Sequence, residues 1–322
     1  MRLFRPMAGS LALIVFCATA LAAAPRDSLI VTTSWLAQHL TDPDLMLLHV
    51  GDKAEYDARH IPGARYVALS DISVSEQNGN GLTLEMPPAA DLRTRLAALG
   101  ISDRSRIVVY YGKDWVSPTT RVIFTLDYAG LGDATSLLDG GMDAWTRDGH
   151  PVTAVVPPAR TGTLSPREPR SLIVDAEYVM AHLKAPQTAI VDARAPAFYD
   201  GTQTGGRKES RHRTGHIAGA HNVPFTSIFD DQMNVKSAEA LAEIFAKAGV
   251  QPHDTVVAYC HVGQQATAVI FAARVLGHPV LLYDGSFEDW SRSRLSGGES
   301  GEAGWRMVEP ASGPAASPPD RE

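Results

Sequence analysis

The sequence predicts an α/β protein built as two homologous units, each a parallel β-sheet flanked by helices. Three observations predict it. The same order of short segments occurs twice along the chain. Apolar β-branched runs alternate with stretches of helical period. A proline-rich break separates the two copies. The length of 322 residues also exceeds what one core usually organises.

The first 22 residues stand outside this pattern. Arg2 and Arg5 precede an apolar stretch from about Met7 to Leu21, which ends in Ala20-Leu21-Ala22. This reads as a cleaved signal peptide, with the mature chain starting near Ala23 and exported to the periplasm. A spanning anchor wants roughly 20 apolar residues, more than this run supplies. A lipoprotein would need a small residue before Cys17, and Phe16 stands there. No later segment is apolar enough to span, so no stable membrane anchor is expected.

The first unit is expected over residues 28–150. It contains Leu47-Leu48-His49-Val50, His60-Ile61-Pro62-Gly63-Ala64, Ile107-Val108-Val109-Tyr110, Val122-Ile123-Phe124, Asp139-Gly140-Gly141 and Trp145. Residues 151–170, with five prolines, read as a linker. The second unit, 171–295, repeats the order with Ala189-Ile190-Val191-Asp192, His216-Ile217-Ala218-Gly219-Ala220, Val256-Val257-Ala258-Tyr259, Val269-Ile270-Phe271, Asp284-Gly285-Ser286 and Trp290. The Gly-, Ser- and Pro-rich tail, 296–322, is expected to be largely disordered, with Trp305 as a residue that could dock. A net charge of -7 without any Lys/Arg run gives no nucleic-acid footprint. No metal or cofactor motif is present, so none is expected.

Of the two cysteines, Cys17 leaves with the leader, and Cys260 is the one thiol of the mature chain. A lone thiol is either a buried small hydrophobe or a reactive group. Position favours the second. Cys260 follows the strand Thr255–Tyr259, Gly263 comes three residues later, and a helical pattern starts near Ala266. Ligands bind at this carboxyl edge of open parallel sheets. Inward loop N–H groups and a helix N-terminus favour a thiolate there, although no Lys or Arg stands between positions 261 and 269.

Four signatures, met in order and two of them twice, resemble the tandem rhodanese family of thiosulfate and 3-mercaptopyruvate sulfurtransferases across residues 30 to 295. They are the two His-Ile-x-Gly-Ala turns, Val191-Asp192-Ala193-Arg194, the loop Cys260-His261-Val262-Gly263-Gln264-Gln265, and the two Asp-Gly elements with their tryptophans. The resemblance implies a persulfide on Cys260, with His261, Val262, Gly263, Gln264 and Gln265 around a small anionic donor. A thiol or cyanide would be the acceptor. It implies that Arg194 holds the donor at the site's mouth and that Asp192 fixes the turn. His216, repeated as His60 in the unit without a cysteine, is expected to organise its own turn. The first unit's loop, Tyr111-Gly112-Lys113-Asp114-Trp115, has no thiol, so that unit shapes rather than reacts and Lys113 and Asp114 are not catalytic.

The loop departs from both donor patterns, since it has neither the Arg or Lys of thiosulfate users nor the Gly-Ser of mercaptopyruvate users. The donor stays open between the two. The stretch Arg207, Lys208, Arg211, His212, Arg213 is either a solvated excursion or a cationic lid. Two other functions compete. A phosphatase of the same fold needs Cys-x5-Arg to clamp phosphoryl oxygens, and position 266 is Ala. A non-catalytic sulfur carrier would use the same cysteine.

Overall fold

The computed structural model describes residues 25–76, 81–113, 116–207, 210–292 and the backbone of 307–308. The first unit contributes β1 (Ile30–Val31), β2 (Leu45–Val50), β3 (Arg65–Tyr66), β4 (Arg106–Tyr111) and β5 (Thr135–Leu138). They form a parallel sheet of order β1-β5-β4-β2-β3. The second unit contributes β6 (Ile173–Val174), β7 (Thr188–Asp192), β8 (Gly206–Arg207), β9 (Ser210–Arg211), β10 (His216–Ile217), β11 (His221–Asn222), β12 (Thr255–Tyr259) and β13 (Val280–Tyr283). Its parallel sheet runs β6-β13-β12-β7-β11, the same order as the first.

The central strands are apolar on both faces because both faces are covered. In β4 only Arg106 is exposed, and in β12 the four residues Val256 to Tyr259 are buried. Between the sheets lie helices Val116–Leu126 and Ala266–Val275, one from each unit. All eleven residues of the first are buried, polar ones included. Thr120 Oγ1 meets Thr267 Oγ1 at 2.9 Å, joining the two helices by a buried hydrogen bond. One apolar core therefore runs through both units, from Leu48 and Val109 to Val256 and Ala258. Each unit keeps a smaller core on its outer face, around Trp145 in the first and Trp290 in the second.

The duplicated turns are alike to the hydrogen bond. Gly63 and Gly219 both sit at φ +83°, a conformation that favours glycine. Ile61 and Ile217 each donate their N–H to a tyrosine hydroxyl, Tyr110 and Tyr259, at 3.1 Å.

Residues 151–170 are not a free spacer. The segment is pinned along the first unit by Thr153 paired with His60, Arg65 on Pro158 O, Arg167 on Asp103 and Arg170 on Asp127. Only two residues of the tail are described. Met307–Val308 form β14, which pairs antiparallel with β10. The rest of 293–322, with Trp305, and the leader 1–22 lie outside the described residues.

Candidate active site

The carboxyl end of β12 delivers Cys260 into a closed niche, where its side chain has no solvent exposure. The backbone N–H groups of Ala266, Val262 and Gln265 lie around its sulfur and favour its charged form. Its own N–H donates to Ser286 Oγ at 3.1 Å. The loop that does this turns at Gly263, with φ +77°. A Cβ there would meet Asp284 O at 2.8 Å, so only glycine fits. The anion-binding loop is as expected, but the resting thiol is not lowered. Burial pushes it above the ordinary cysteine range, and the three N–H groups offset only part of that.

Arg194 departs from its expected place. It does not stand open at a mouth: it is 1% exposed. Its Nε and Nη2 donate to the Asp192 carboxylate at 2.9 and 2.6 Å, and Nη2 also reaches Gly215 O at 2.8 Å. The guanidinium lies 3.8 Å from the Phe287 ring centroid. Burial works against the Arg194 charge, and the Asp192 carboxylate more than restores it. The cation remains close enough to Cys260 for mutual attraction if the sulfur ionises. Asp192 accepts the Arg194 N–H at 2.9 Å, which fixes the strand end.

The remaining loop residues diverge. His261 meets the edge of Phe198 at 4.6 Å between centroids. Burial, Arg194 and His212 lower its pKa to about 4, so it is neutral at pH 7. Val262 gives the sulfur an N–H and no charge. Gln264 turns away, its Nε2 donating to Ser117 Oγ of the first unit at 3.0 Å. Gln265 keeps a buried carbonyl oxygen without a protein partner. His216 is a brace: its Nδ1 is 2.8 Å from Tyr199 O and its ring stacks on Tyr199. His60 stacks on Tyr56 in the same way.

The segment after Gly205 forms the hairpin β8–β9, residues 208 and 209 lying outside the described residues. Its base is packed, not solvated. A Cβ on Gly205 would fall 2.5 Å from His261 Nδ1, and the neighbouring His212 is buried. His212 is also held neutral, its pKa lowered to about 4 by burial. Arg213 is exposed.

A family model described as a rhodanese-like domain matches residues 32–148 and again 175–293. The chain belongs to the rhodanese family. Thiosulfate sulfurtransferase of Rattus norvegicus is 31% identical over 85% of this rhodanese and 97% of its own length. A probable 3-mercaptopyruvate sulfurtransferase of Pseudomonas aeruginosa is 31% identical over 81% and 94%. The solved structure of SseA from Escherichia coli, described as a 3-mercaptopyruvate sulfotransferase, has a TM-score of 0.70, 25% identity and coverage of 80% and 98%.

Sequence reasoning missed several groups around the cysteine of this rhodanese. Ser286 could have been found by comparing the repeats. It occupies the place of Gly141, both at left-handed φ, +52° and +54°. A serine accepts that strain of about 1–3 kcal/mol because its hydroxyl bridges Cys260 N–H and Tyr283 O. Arg121 had no such signal. It comes from the first unit, is fully buried, and reaches Gly263 O at 3.3 Å and Asp284 at 2.5 Å. The strap 81–86 of the same unit crosses here too: Thr83 N donates to Glu288 and Met86 N to Asp284, each at 2.8 Å.

Proposed function

We propose that this rhodanese, a sulfurtransferase like its relatives, moves sulfane sulfur from thiosulfate or 3-mercaptopyruvate to a thiol or cyanide through a persulfide on Cys260. The observation that carries the reading is the convergence of three backbone N–H groups on the Cys260 sulfur. In the first displacement the ionised sulfur attacks the donor's outer sulfur. The S–S or C–S bond of the donor breaks: sulfite leaves with the electron pair, or the enolate of pyruvate does and then takes a proton to become pyruvate. In the second, the acceptor's thiolate or cyanide attacks the outer sulfur of the persulfide and Cys260 leaves as thiolate. Both steps put negative charge where the N–H groups already point, so little reorganisation is needed.

Arg194 supports the charge on the sulfur electrostatically. It cannot clamp a donor while Asp192 holds it, so donor affinity rests on the loop N–H groups and on the exposed rim. The site lends little positive charge, with His261 and His212 neutral. That weighs against a dianion and toward the singly charged 3-mercaptopyruvate. Steady-state assays with each donor test it: kcat/KM is expected to be higher with 3-mercaptopyruvate, and the opposite ranking would overturn the preference. The same assays separate an enzyme from a carrier, since a carrier loads once and does not turn over. A phosphatase reading finds no arginine in the loop, and Arg121 is occupied by Asp284 and Leu84 O.

Export is also proposed, on the leader sequence alone. N-terminal sequencing of the mature protein should begin near Ala23. An intact Met1 in a cytosolic fraction would overturn it. Among the described residues no helix is long and apolar enough to cross a membrane.

A further inference from the structure

The first unit has an empty counterpart of the second unit's ion-pair site. The tyrosines Tyr110 and Tyr259 occupy equivalent places, each accepting from its Ile N–H. Tyr110 pairs with His49 across the sheet, and Tyr259 pairs with Asp192. His49 therefore stands where Asp192 stands. Two residues on, Gly51 replaces Arg194, and after the strands Gly112 replaces His261. The side chains that fill the second site are absent from the first.

What remains is a cavity of about 210 Å³, lined by His49, Glu55, Arg59, Gly112, Lys113, Asp143 and their neighbours Ala58 and Met142. His49 is 1% exposed, and both its ring nitrogens lack a protein partner. Its Nε2 is the atom that a Cβ on Gly51 would hit at 2.7 Å and one on Gly112 would approach at 3.3 Å. The same Gly112 position lies 3.3 Å from Glu55 Oε2. The two glycines thus leave a cradle beside a buried imidazole and a carboxylate. A buried polar group without a partner costs stability unless something satisfies it.

We infer that this cavity is a binding site for a small zwitterion of the α-amino acid class, separate from Cys260. The lining carries both signs: Glu55 and Asp143 for an ammonium, Lys113 and Arg59 for a carboxylate. A plain anion would face the two carboxylates, and a plain cation the two bases. The imidazole between them offers one N–H and one lone pair to a short polar side chain. The cavity size limits the ligand to a few heavy atoms.

Titration calorimetry on the full chain with L-serine tests this, with propionate and ethylamine as single-charge controls. Saturable L-serine binding is expected, with each control weaker by about tenfold or more because one charge-assisted hydrogen bond is lost. Glu55→Gln and Lys113→Gln, both at exposed side chains, should each weaken L-serine by about tenfold while sulfur transfer is unchanged. His49→Phe, which fills the cradle, should abolish binding. In Cys260→Ser binding should persist at wild-type affinity. No saturable binding, propionate as tight as L-serine, indifference to both surface variants, or loss in Cys260→Ser would each overturn the inference.

Discussion

The two units share the strand order of their main sheets and the geometry of their duplicated turns, and their chemistry parts at the carboxyl edge of those sheets. In the second unit that edge carries Asp192, Arg194, Cys260, His261 and Ser286. In the first, the corresponding positions are His49, Gly51, Tyr111, Gly112 and Gly141. The contacts between units follow a near two-fold logic as well. Met86 N donates to Asp284, and Val235 N donates to Asp139, at 2.8 and 2.9 Å. Arg121 pairs with Asp284 inside the interface, whereas Arg26 stands 3.7 Å from Asp139. The difference teaches that packing is kept by both copies, while reactivity rests on a few side chains at the strand ends. It also shows what the first unit contributes: a strap and a buried arginine behind its partner's loop.

The largest effect on stability should come from splitting the ion pair that only the second unit has. Arg194→Ala leaves Asp192 buried and uncompensated, which costs about 3–5 kcal/mol. Urea unfolding should show that loss together with lost sulfur transfer. A drop below about 1 kcal/mol would mean that water reaches the carboxylate. Arg121→Met comes next. It strands Asp284 and unpins Gly263, so stability and kcat should both fall, although the change lies in the other unit. Unchanged kcat would break the idea that the first unit supports the loop. Ser286→Ala removes the acceptor for Cys260 N–H, a cost of about 1–3 kcal/mol by unfolding. Ser286→Gly, the first unit's solution, should recover part of it by relieving the positive φ.

The smallest effect is on pH dependence. His49, His212 and His261 each have a folded pKa lowered from 6.5 to about 4, burial being the main cause. Above pH 6.5 both folded and unfolded forms are neutral and nothing is lost. As pH falls from 6.5 to 4 the unfolded chain takes up protons that the folded one refuses, so stability falls. Glu85 works in the opposite direction, since burial raises its pKa to about 8 and its share is lost as pH rises from 4.5 to 8. The single-variant difference is therefore the readout. His261→Gln should shrink the fall in urea midpoint between pH 7 and pH 5; an identical fall would contradict a buried neutral His261.

Much of this was legible in the sequence because it is local or repeated. Strand Thr255–Tyr259, the glycine at 263 and the helix after it fix where Cys260 sits, and the duplicated turns give both sheets. The protonation of the thiol was not legible. It depends on the balance between loop N–H groups and total burial, and Cys260 is buried in an apolar core whose members come from both units and are distant in sequence. Arg194 was misplaced for a similar reason: its spacing from Asp192 allows an ion pair or an open cation, and only the covering Phe287 decides. Arg121 and the strap 81–86 lie more than 130 residues from the loop they touch. Nothing in their own segment marks the crossing.

The central claim, a persulfide on Cys260, is tested most directly by intact mass. The full chain is incubated with 3-mercaptopyruvate or thiosulfate, desalted, and weighed before and after cyanide. The account predicts the gain of one sulfur atom on the wild type, its removal as thiocyanate, and no gain on a folded Cys260→Ser protein, whose hydroxyl stays protonated at neutral pH. A Cys260→Ser protein that still produced thiocyanate at the wild-type rate, or a wild type that turned over without ever carrying the extra sulfur, would contradict it.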